Sequence, residues 1–386
     1  MQSIIGQLVQ SHRHQLRGEG PIFAIACDCH PMYGLAHRPA ATTRPPGGPT
    51  MTDTRRGPAA LLVMEEERRA DVYPPHVLDE IGELTHWQGP ALTRDALRRD
   101  PGALEGVEVL LTGWGAPVLD ANLLAHAPEL KAVLVAAGSV RHLTTPEFWA
   151  RGIPIVSAAA ANARPVAEFT LGQILLGLKQ VHRLGREAAA ARRYPHDPRV
   201  AGGYGSRVGL FGLGEIGRLV AEHLRRFDVE VLACDPVVEP AVARGWGVRL
   251  TGIEELFASC DVVSVHAPLL PETEGVVDGP LVSLLPEGAT LVNTARGAVL
   301  NEPEVIGVLR DRPDLTAVLD VTSPEPPDPL SPLFTLPNVL LTPHLAGAMG
   351  RERARLGELV RDELRRLVCG DPLLHAVEPA MAATRA

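Results

Sequence analysis

The sequence has little lysine, little cysteine and no long apolar run. Its 386 residues contain two lysines, Lys131 and Lys179, so arginine carries almost all of the positive charge. Schiff-base chemistry therefore has very few candidates, whereas a fixed anion clamp has many. The five cysteines are scattered and odd in number, which fits neither a disulfide framework nor a paired-cysteine zinc site. We therefore expect reduced thiols, a cytoplasmic location and no resident metal.

Two further absences concern possible partners. No run of about 18 apolar residues occurs, so we expect no membrane-spanning helix. The formal net charge of −9 argues against general affinity for nucleic acid or for anionic membranes. Hydrophobic residues make up 45% of the chain, which is typical of a folded globular protein. The chain length predicts two domains, or two domains and a tail.

Residues 1–57 differ in composition from the rest of the chain. They hold six arginines against three acidic residues, a formal charge of +3, and they have no apolar period. This composition predicts a disordered tail. The cluster Cys27-Asp28-Cys29-His30 could hold a metal, but it has no second pair of ligands, so flexible tail is the favoured interpretation. Met51 stands just before the first predicted strand and is a candidate for the true start of the protein.

From residue 58 onward, short apolar strands alternate with helices. This alternation predicts βαβ units on parallel sheets. We expect two α/β lobes with a cleft between them. The first lobe would comprise residues 58–163 and 345–386, because the last predicted helix, 349–369, crosses back to it. The second lobe, residues 164–344, would begin with one long helix over 165–191.

The strongest local motif is the glycine-rich segment 208–217. It follows an apolar strand and begins a helix, which is the context in which a GxGxxG pattern indicates phosphate binding. Gly212 would allow a tight turn, Gly214 a close approach to a pyrophosphate, and Gly217 close packing of helix and strand. Asp235 ends the next strand, where a carboxylate accepts hydrogen bonds from the ribose hydroxyls and repels a 2′-phosphate. The segment therefore predicts binding of NAD rather than NADP.

Three further polar residues follow predicted strands of the same block. Arg296 lies in NTARG, Glu325 in a proline-rich loop, and His344 in TPHLAG. Open α/β sheets bind their ligands at the carboxyl ends of strands, so these side chains are candidates for one site. Taken singly, each could be a surface charge or a structural histidine. Next to a dinucleotide motif, the three together favour a catalytic set.

These motifs together resemble the D-isomer-specific 2-hydroxyacid dehydrogenases, over roughly residues 60–375. The matching motifs are GLGEIG followed by Asp235, NTARG, the Glu-Pro after the LDV strand and TPHLAG, in the family's order. The resemblance implies an α/β fold with two Rossmann-like lobes, a discontinuous flavodoxin-like substrate domain and a doubly wound NAD-binding domain. It also implies NAD-dependent hydride transfer between a D-2-hydroxy acid and its 2-keto acid.

The resemblance also implies roles for individual residues. Arg296 would bind the substrate carboxylate and the keto oxygen, His344 would be the general acid or base, and Glu325 would orient His344. The chemistry agrees, because imidazole titrates near neutral pH and a neighbouring carboxylate favours its charged form. His266 alone could equally be a packing residue. The implied cofactor contacts are Gly212, Gly214, Glu215, Ile216, Gly217, Asp235, His266, Pro268, Thr294, Ala295, Asp320, His344 and Gly347.

The loop 136–142 departs from the family pattern. Gly138 can supply backbone N–H groups to the substrate carboxylate, but Ser139 stands where many members have a second glycine. Arg141 stands where an aspartate is usual, and it could be an extra anion contact or a surface charge. Asn162 could position the substrate or cap the long helix. The predicted substrate contacts are Gly138, Ser139, Asn162 and Arg296.

Alternative functions remain open. An NAD(H)-sensing interaction protein, like the C-terminal-binding-protein corepressors, would share the fold and the catalytic residues but have negligible turnover. A different Rossmann enzyme, such as a methyltransferase, would bind S-adenosylmethionine instead. The family also implies a homodimer, with 194–205 as a partner-facing arm, and lobe closure with hinges near Asn162 and Leu345. No regulatory domain is expected after residue 375.

Overall fold

The computed structural model describes residues 57–196 and 200–384, without the side chains of the last two. The tail predicted before residue 57, the Cys27-Asp28-Cys29-His30 cluster and the candidate start Met51 lie outside the described residues. Within the described part, no helix combines the length and the apolar character needed to cross a membrane.

The first sheet has five parallel strands, β1 (Ala59–Val63), β2 (His86–Trp87), β3 (Val109–Thr112), β4 (Ala132–Val135) and β5 (Ile155–Ser157). Their order is β2-β1-β3-β4-β5, as in flavodoxin-like folds, with the topological switch point between β1 and β3. The helices of this region are α1 (Glu66–Val72), α2 (Pro75–Leu84), α3 (Arg94–Arg99), α4 (Ala121–Ala125) and α5 (Pro146–Ala150), with a 3₁₀ helix at Pro101–Leu104.

The second sheet has seven parallel strands, β6 (Arg207–Phe211), β7 (Glu230–Cys234), β8 (Val248–Leu250), β9 (Val262–Val265), β10 (Thr290–Asn293), β11 (Thr316–Leu319) and β12 (Val339–Leu341). Their order is β12-β11-β10-β9-β6-β7-β8, which contains the Rossmann arrangement with its switch point between β6 and β9. The predicted fold class, two α/β lobes on parallel sheets, is confirmed.

Helices α6 to α14 connect and cover these strands. They are α6 (Ala159–Leu178), α7 (Val181–Ala191), α8 (Glu215–Leu224), α9 (Pro240–Gly245), α10 (Ile253–Ser259), α11 (Gly279–Ser283), α12 (Glu302–Asp311), α13 (Ala354–Cys369) and α14 (Pro379–Thr384). Short 3₁₀ helices lie at Gly297–Val299, Pro332–Phe334 and Gly350–Arg353. Because helices cover both faces of each sheet, every residue of β3, β4, β9 and β10 is buried.

The last long helix returns to the first sheet. Leu356, Val360 and Leu364 of α13 are fully buried and pack in the same core as Leu62 and Leu134 of the first sheet. The domain boundaries predicted near residues 163 and 344 nevertheless remain predictions, and α6 runs across the first of them.

The long helix predicted over 165–191 is wrong, because the structure has two helices there. α6 begins at Ala159, whose N–H donates to Ser157 Oγ at 3.1 Å. Pro165 consequently lies inside α6 rather than in its first turn. Before α7 begins, Gln180 adopts a left-handed backbone conformation with φ of 49°, which no continuous helix allows.

Candidate active site

The three glycines of the motif, Gly212, Gly214 and Gly217, lie in the loop after β6 and the first turn of α8, and each has different space around it. Gly212 has a φ of +100°, and a Cβ there would lie 2.7 Å from Ala267 N. A Cβ at Gly217 would lie 2.2 Å from the Gly212 carbonyl oxygen, so only glycine lets α8 approach the strand end. A Cβ at Gly214 would meet no described atom within 4 Å. This open space at a helix N-terminus fits a pyrophosphate. The helix itself begins with Glu215 and Ile216.

Asp235 follows β7 and lies beside the glycine loop. Its Oδ2 accepts a hydrogen bond from Leu213 N at 2.7 Å. Its Oδ1 accepts from Val237 N at 2.9 Å and from Val238 N at 3.1 Å. These bonds fix the carboxylate at the carboxyl edge of the sheet, where the adenosine ribose of a dinucleotide lies in Rossmann folds. The glycine loop and Asp235 together therefore fit a dinucleotide.

His266 and Pro268 follow β9, on the other side of the switch point from the glycine loop. Burial lowers the pKa of His266 to about 4, so the imidazole is neutral at neutral pH. Its Nε2 lies 3.0 Å from Ser264 Oγ. The Pro268 carbonyl accepts a hydrogen bond from Thr273 Oγ1 at 2.5 Å. The loop after β9 is therefore held in place and packs directly against the glycine loop.

Arg296 follows β10 at the same edge of the sheet. Burial lowers the pKa of its guanidinium, and the nearby negative charge of Glu325 opposes that change. The group stays charged at neutral pH and donates to the Ala295 carbonyl at 2.6 Å. A Cβ at the adjacent Gly297 would lie 2.0 Å from the carbonyl carbon of Thr322. Gly297 thus allows the ends of β10 and β11 to meet, which brings Arg296 and Glu325 together.

Glu325 and His344 are in direct contact. Glu325 Oε1 lies 2.5 Å from His344 Nδ1, and the two side chains are 41% and 52% exposed, respectively. His344 has a left-handed φ of 51°, uncommon for a residue other than glycine, and its N–H donates to the Asp320 carbonyl at 2.9 Å. Because Nδ1 faces Glu325, Nε2 is the nitrogen that can face a ligand.

Asp320 organises the loop that carries His344. Its buried carboxylate accepts hydrogen bonds from Thr342 Oγ1 at 2.6 Å, Leu345 N at 2.8 Å and Ala346 N at 2.9 Å. The structure therefore gives Asp320 a positioning task that sequence reasoning missed. Its contact with the cofactor carboxamide, which the family resemblance implies, stays a prediction.

Gly138 and Ser139 follow β4 of the first sheet. The Gly138 carbonyl accepts a hydrogen bond from Ser157 Oγ at 2.9 Å. Ser139 Oγ accepts from Arg141 N at 3.3 Å. A Cβ at Gly138 would meet Asn162 Nδ2 at 3.5 Å, an ordinary contact. The conformation of this loop is therefore fixed by side-chain contacts rather than by close backbone packing.

Asn162 joins the start of α6 to the segment that follows His344. Its Oδ1 accepts a hydrogen bond from Ala348 N at 2.9 Å. A Cβ at Gly347 would lie 3.1 Å from the same oxygen. The helix-cap interpretation is wrong, because Asn162 lies within α6 and its side chain bonds elsewhere. Asn162, Gly138 and Gly347 therefore meet at one place.

Two other residues near strand ends were not predicted from the sequence. Thr170 Oγ1 lies 3.0 Å from Thr294 Oγ1, a buried pair that ties α6 to the NTARG loop. Trp114 follows β3 at the switch point of the first sheet, and the guanidinium groups of Arg68 and Arg353 lie 5.4 and 5.9 Å from its ring centre. The switch-point rule applied to the predicted strand end would have found Trp114, whereas nothing in the sequence pairs the two threonines.

The two parallel sheets and the glycine loop beside a strand-end aspartate define a dinucleotide-binding protein of the Rossmann class. Residues 171–346 match the model of the family described as D-isomer specific 2-hydroxyacid dehydrogenase, NAD binding domain. Glyoxylate reductase of Thermofilum pendens is 31% identical over 264 residues, which are 66% of this chain and 76% of the reductase. The chain belongs to the D-isomer-specific 2-hydroxyacid dehydrogenase family, as predicted, and contains its NAD-binding domain.

Other relatives agree with this assignment. D-3-phosphoglycerate dehydrogenase of Mycobacterium leprae is 35% identical over 266 residues, 68% of this chain and 49% of that enzyme. The chain thus spans about half the length of the phosphoglycerate dehydrogenases it matches. The crystal structure of a Thermus thermophilus protein superposes with a TM-score of 0.63 at 29% identity, covering 83% of this chain and 100% of that one.

Proposed function

We propose that the protein is an NAD-dependent dehydrogenase that interconverts a D-2-hydroxy acid and its 2-keto acid. The observation that carries this proposal is the His344–Glu325 pair, with 2.5 Å between Nδ1 and Oε1, next to the half-buried guanidinium of Arg296. An acid–base group, a carboxylate that orients it and a fixed cation are the groups that reduction of a keto acid needs. Membership of the family supports the same reaction.

His344 would move the proton. Its Nδ1–H donates to Glu325, which fixes the ring orientation and leaves Nε2 to face the substrate. In the reducing direction Nε2–H donates its proton to the keto oxygen, and in the oxidising direction Nε2 takes the proton from the hydroxyl. Bound NADH or NAD would supply or accept the hydride.

Arg296 would hold the substrate. Its guanidinium offers two parallel donors that match a carboxylate and the adjacent keto oxygen. Partial burial strengthens these bonds, because less water competes for the donors. The backbone N–H groups of Gly138 and Ser139 would hold the carboxylate from the opposite lobe, with Asn162 fixing that loop.

Asp235 supports a preference for NAD over NADP. Its carboxylate stands beside the glycine loop, where it can accept hydrogen bonds from ribose hydroxyls and would repel a 2′-phosphate. Gly212, Gly214 and Gly217 would accommodate the pyrophosphate. The remaining residues assigned to the cofactor are Glu215, Ile216, His266, Pro268, Thr294, Ala295, Asp320 and Gly347.

The test is a panel of 2-keto acids with the purified protein and NADH, followed by the loss of NADH absorbance. We expect turnover with at least one acid. His344→Ala should then lower kcat by on the order of 10²–10⁴, since general acid catalysis is lost. His76→Ala is the matched control, because His76 also faces a glutamate, Glu358, at 3.8 Å, but lies on α2.

Two results would contradict the proposal. Unchanged kcat in His344→Ala would remove its assigned role. No turnover on any acid, together with intact NADH binding, would favour the NAD(H)-sensing alternative instead.

The homodimer and the cytoplasmic location remain predictions. Tyr194 and Tyr204, in the predicted partner-facing arm, are 96% and 88% exposed, which is compatible with burial against a second copy. Light scattering after size exclusion measures the mass directly. A monomer at micromolar concentration would contradict the predicted dimer.

A further inference from the structure

The side chain of Arg141 extends from a loop of the first sheet to a loop of the second sheet. It lies in the loop that follows β4, and its Nη1 donates to the carbonyl of Leu269, 3.4 Å away, in the loop that follows β9. β4 belongs to the first sheet and β9 to the second. Both loops lie at carboxyl ends of parallel strands, where α/β sheets bind their ligands. The guanidinium is therefore placed between the two ligand-binding edges.

The charge of Arg141 has no acidic partner in the described part of the chain within 4.0 Å. By contrast, Arg353 pairs with Asp71 at 2.8 Å and Arg361 with Glu80 at 3.2 Å. One long hydrogen bond to a carbonyl uses only one of the five guanidinium N–H donors. Arg141 is thus an exposed cation whose counter-charge can come from a ligand.

A second cation lies close to this loop. Partial burial, together with the positive charge of Arg94, lowers the pKa of the adjacent His142. Arg94 belongs to α3, which lies in the same sheet region. Arg141 and Arg94 therefore place two positive charges near this loop although the whole chain carries a formal charge of −9, and such a pair of cations attracts anions.

We propose that Arg141 binds a second acidic group of the substrate, so that the preferred substrates are 2-oxo and 2-hydroxy acids with a distal carboxylate or phosphate. This inference rests on the proposed function, which assigns the first carboxylate to Gly138, Ser139 and Arg296. Arg141 is three residues beyond Gly138 in the same loop, and its planar fork matches either anion with two parallel bonds.

The test uses pairs of acids with equal carbon chains, 2-oxoglutarate against 2-oxopentanoate and 3-phosphohydroxypyruvate against hydroxypyruvate. The kcat/KM ratio of diacid to monoacid is measured for the unaltered protein, Arg141→Gln and Arg141→Lys. We expect Arg141→Gln to lower the ratio for the preferred pair about 10- to 100-fold, as loss of a charge-assisted hydrogen bond does. Arg141→Lys should restore part of it. The pair that responds distinguishes carboxylate from phosphate.

Arg98→Gln is the matched control, because Arg98 is an exposed arginine of α3 and its loss changes the net charge equally. Its ratio should equal that of the unaltered protein. A ratio that Arg141→Gln does not change would overturn the inference. An equal loss of kcat/KM for the diacid and the monoacid of each pair would also overturn it, because it would indicate that the Leu269 contact only closes the lobes.

A binding measurement separates this inference from the proposed function. The same acids are titrated into the protein with NADH bound, and quenching of NADH fluorescence gives their dissociation constants. Turnover of monoacids without a diacid preference overturns the inference and leaves the proposed function standing. If no acid is turned over, but diacids bind selectively and Arg141→Gln abolishes that selectivity, the proposed function is overturned and the anion-binding role of Arg141 stands.

Discussion

The loop after β6 and the loop after β4 occupy matching places in the two sheets but obey different constraints. In the first, a Cβ at Gly217 would lie 2.2 Å from a backbone oxygen and one at Gly212 2.7 Å from a backbone nitrogen. In the second, a Cβ at Gly138 would meet only the Asn162 side chain, with Nδ2 the nearest atom at 3.5 Å. The cofactor loop is therefore defined by backbone against backbone, and the substrate loop by side chains.

This difference explains why the two loops vary unequally within the family pattern. NAD and NADP present the same pyrophosphate to this loop, so the loop must keep one backbone path, and only glycine permits that path. Substrates differ, and a loop held by side chains can change residues without clashes. Ser139 and Arg141 are such changes. Substitutions in each loop test whether the constraint is set by the backbone in one and by side chains in the other.

The largest expected effect is that of Gly217→Ala. The added methyl group must displace the Gly212 carbonyl, so α8 moves away from the strand end. We expect the free energy of unfolding to fall by about 3 kcal/mol and the dissociation constant of NADH to rise about 100-fold. Urea denaturation and fluorescence titration measure the two quantities.

Gly138→Ala is the matched substitution in the other loop. It should change the free energy of unfolding by less than about 1 kcal/mol and leave NADH binding unaltered. Equal losses in the two variants would show that the contrast between backbone and side-chain constraint is wrong.

The next largest expected effect is a loss of folding stability at acid pH, caused by His266 beside the cofactor loop. The pKa of His266 is lowered to about 4 in the folded chain, whereas an unfolded histidine titrates near 6.5. The unfolded state therefore binds the proton first, and stability that is complete above about pH 6.5 is lost as pH falls toward 4. The loss is on the order of 3 kcal/mol.

Urea denaturation of the protein without cofactor, at several pH values between 7.5 and 4, measures this dependence. His266→Asn should flatten it, while His142→Asn, in the exposed substrate loop, should change it much less. A pH dependence that survives in His266→Asn would assign it to another group.

Asp235→Ser should produce a smaller effect that concerns the cofactor alone. The hydroxyl can still accept the Leu213 N–H, but it no longer repels a 2′-phosphate. We expect the ratio of kcat/KM for NADH to that for NADPH to fall about 10-fold or more. Asp228→Ser, at an exposed position in the turn before β7, is the control. An unchanged ratio would mean that another residue selects the cofactor.

These contrasts also indicate which parts of the molecule could be predicted. The sequence predicts strands over 207–211, 230–234, 262–265 and 290–293, and β6, β7, β9 and β10 have these bounds. Each contains a buried apolar run that ends at a glycine or a polar residue. Helix α1 was missed because its sequence, EERRADV, is mostly charged and has no apolar stripe. The steric conditions at Gly212 and Gly217 also followed from the motif.

The missed parts of the site depend on partners far away in the sequence. Asp320 was predicted as a cofactor contact, yet its carboxylate holds the backbone of residues 345 and 346, about 25 positions further on. The left-handed φ of His344 has no local signal, because residues other than glycine adopt it only in a few per cent of cases. Such contacts exist only after the chain has folded, so no local pattern contains them.

Substitution of Asn162 has the smallest expected effect. It directly tests whether the site depends on contacts between residues far apart in the sequence. Its Oδ1 accepts from Ala348 N, 186 positions away, at 2.9 Å. Asn162→Ala removes this bond and should lower the free energy of unfolding by about 1 kcal/mol. Asn162→Asp keeps the acceptor oxygen and should lose less. Because Asn162 also contacts Gly138, we expect Asn162→Ala to raise KM for the keto acid more than it lowers kcat. Equal losses in Asn162→Asp and Asn162→Ala would show that the amide nitrogen facing Gly138, rather than the oxygen, is the group that matters.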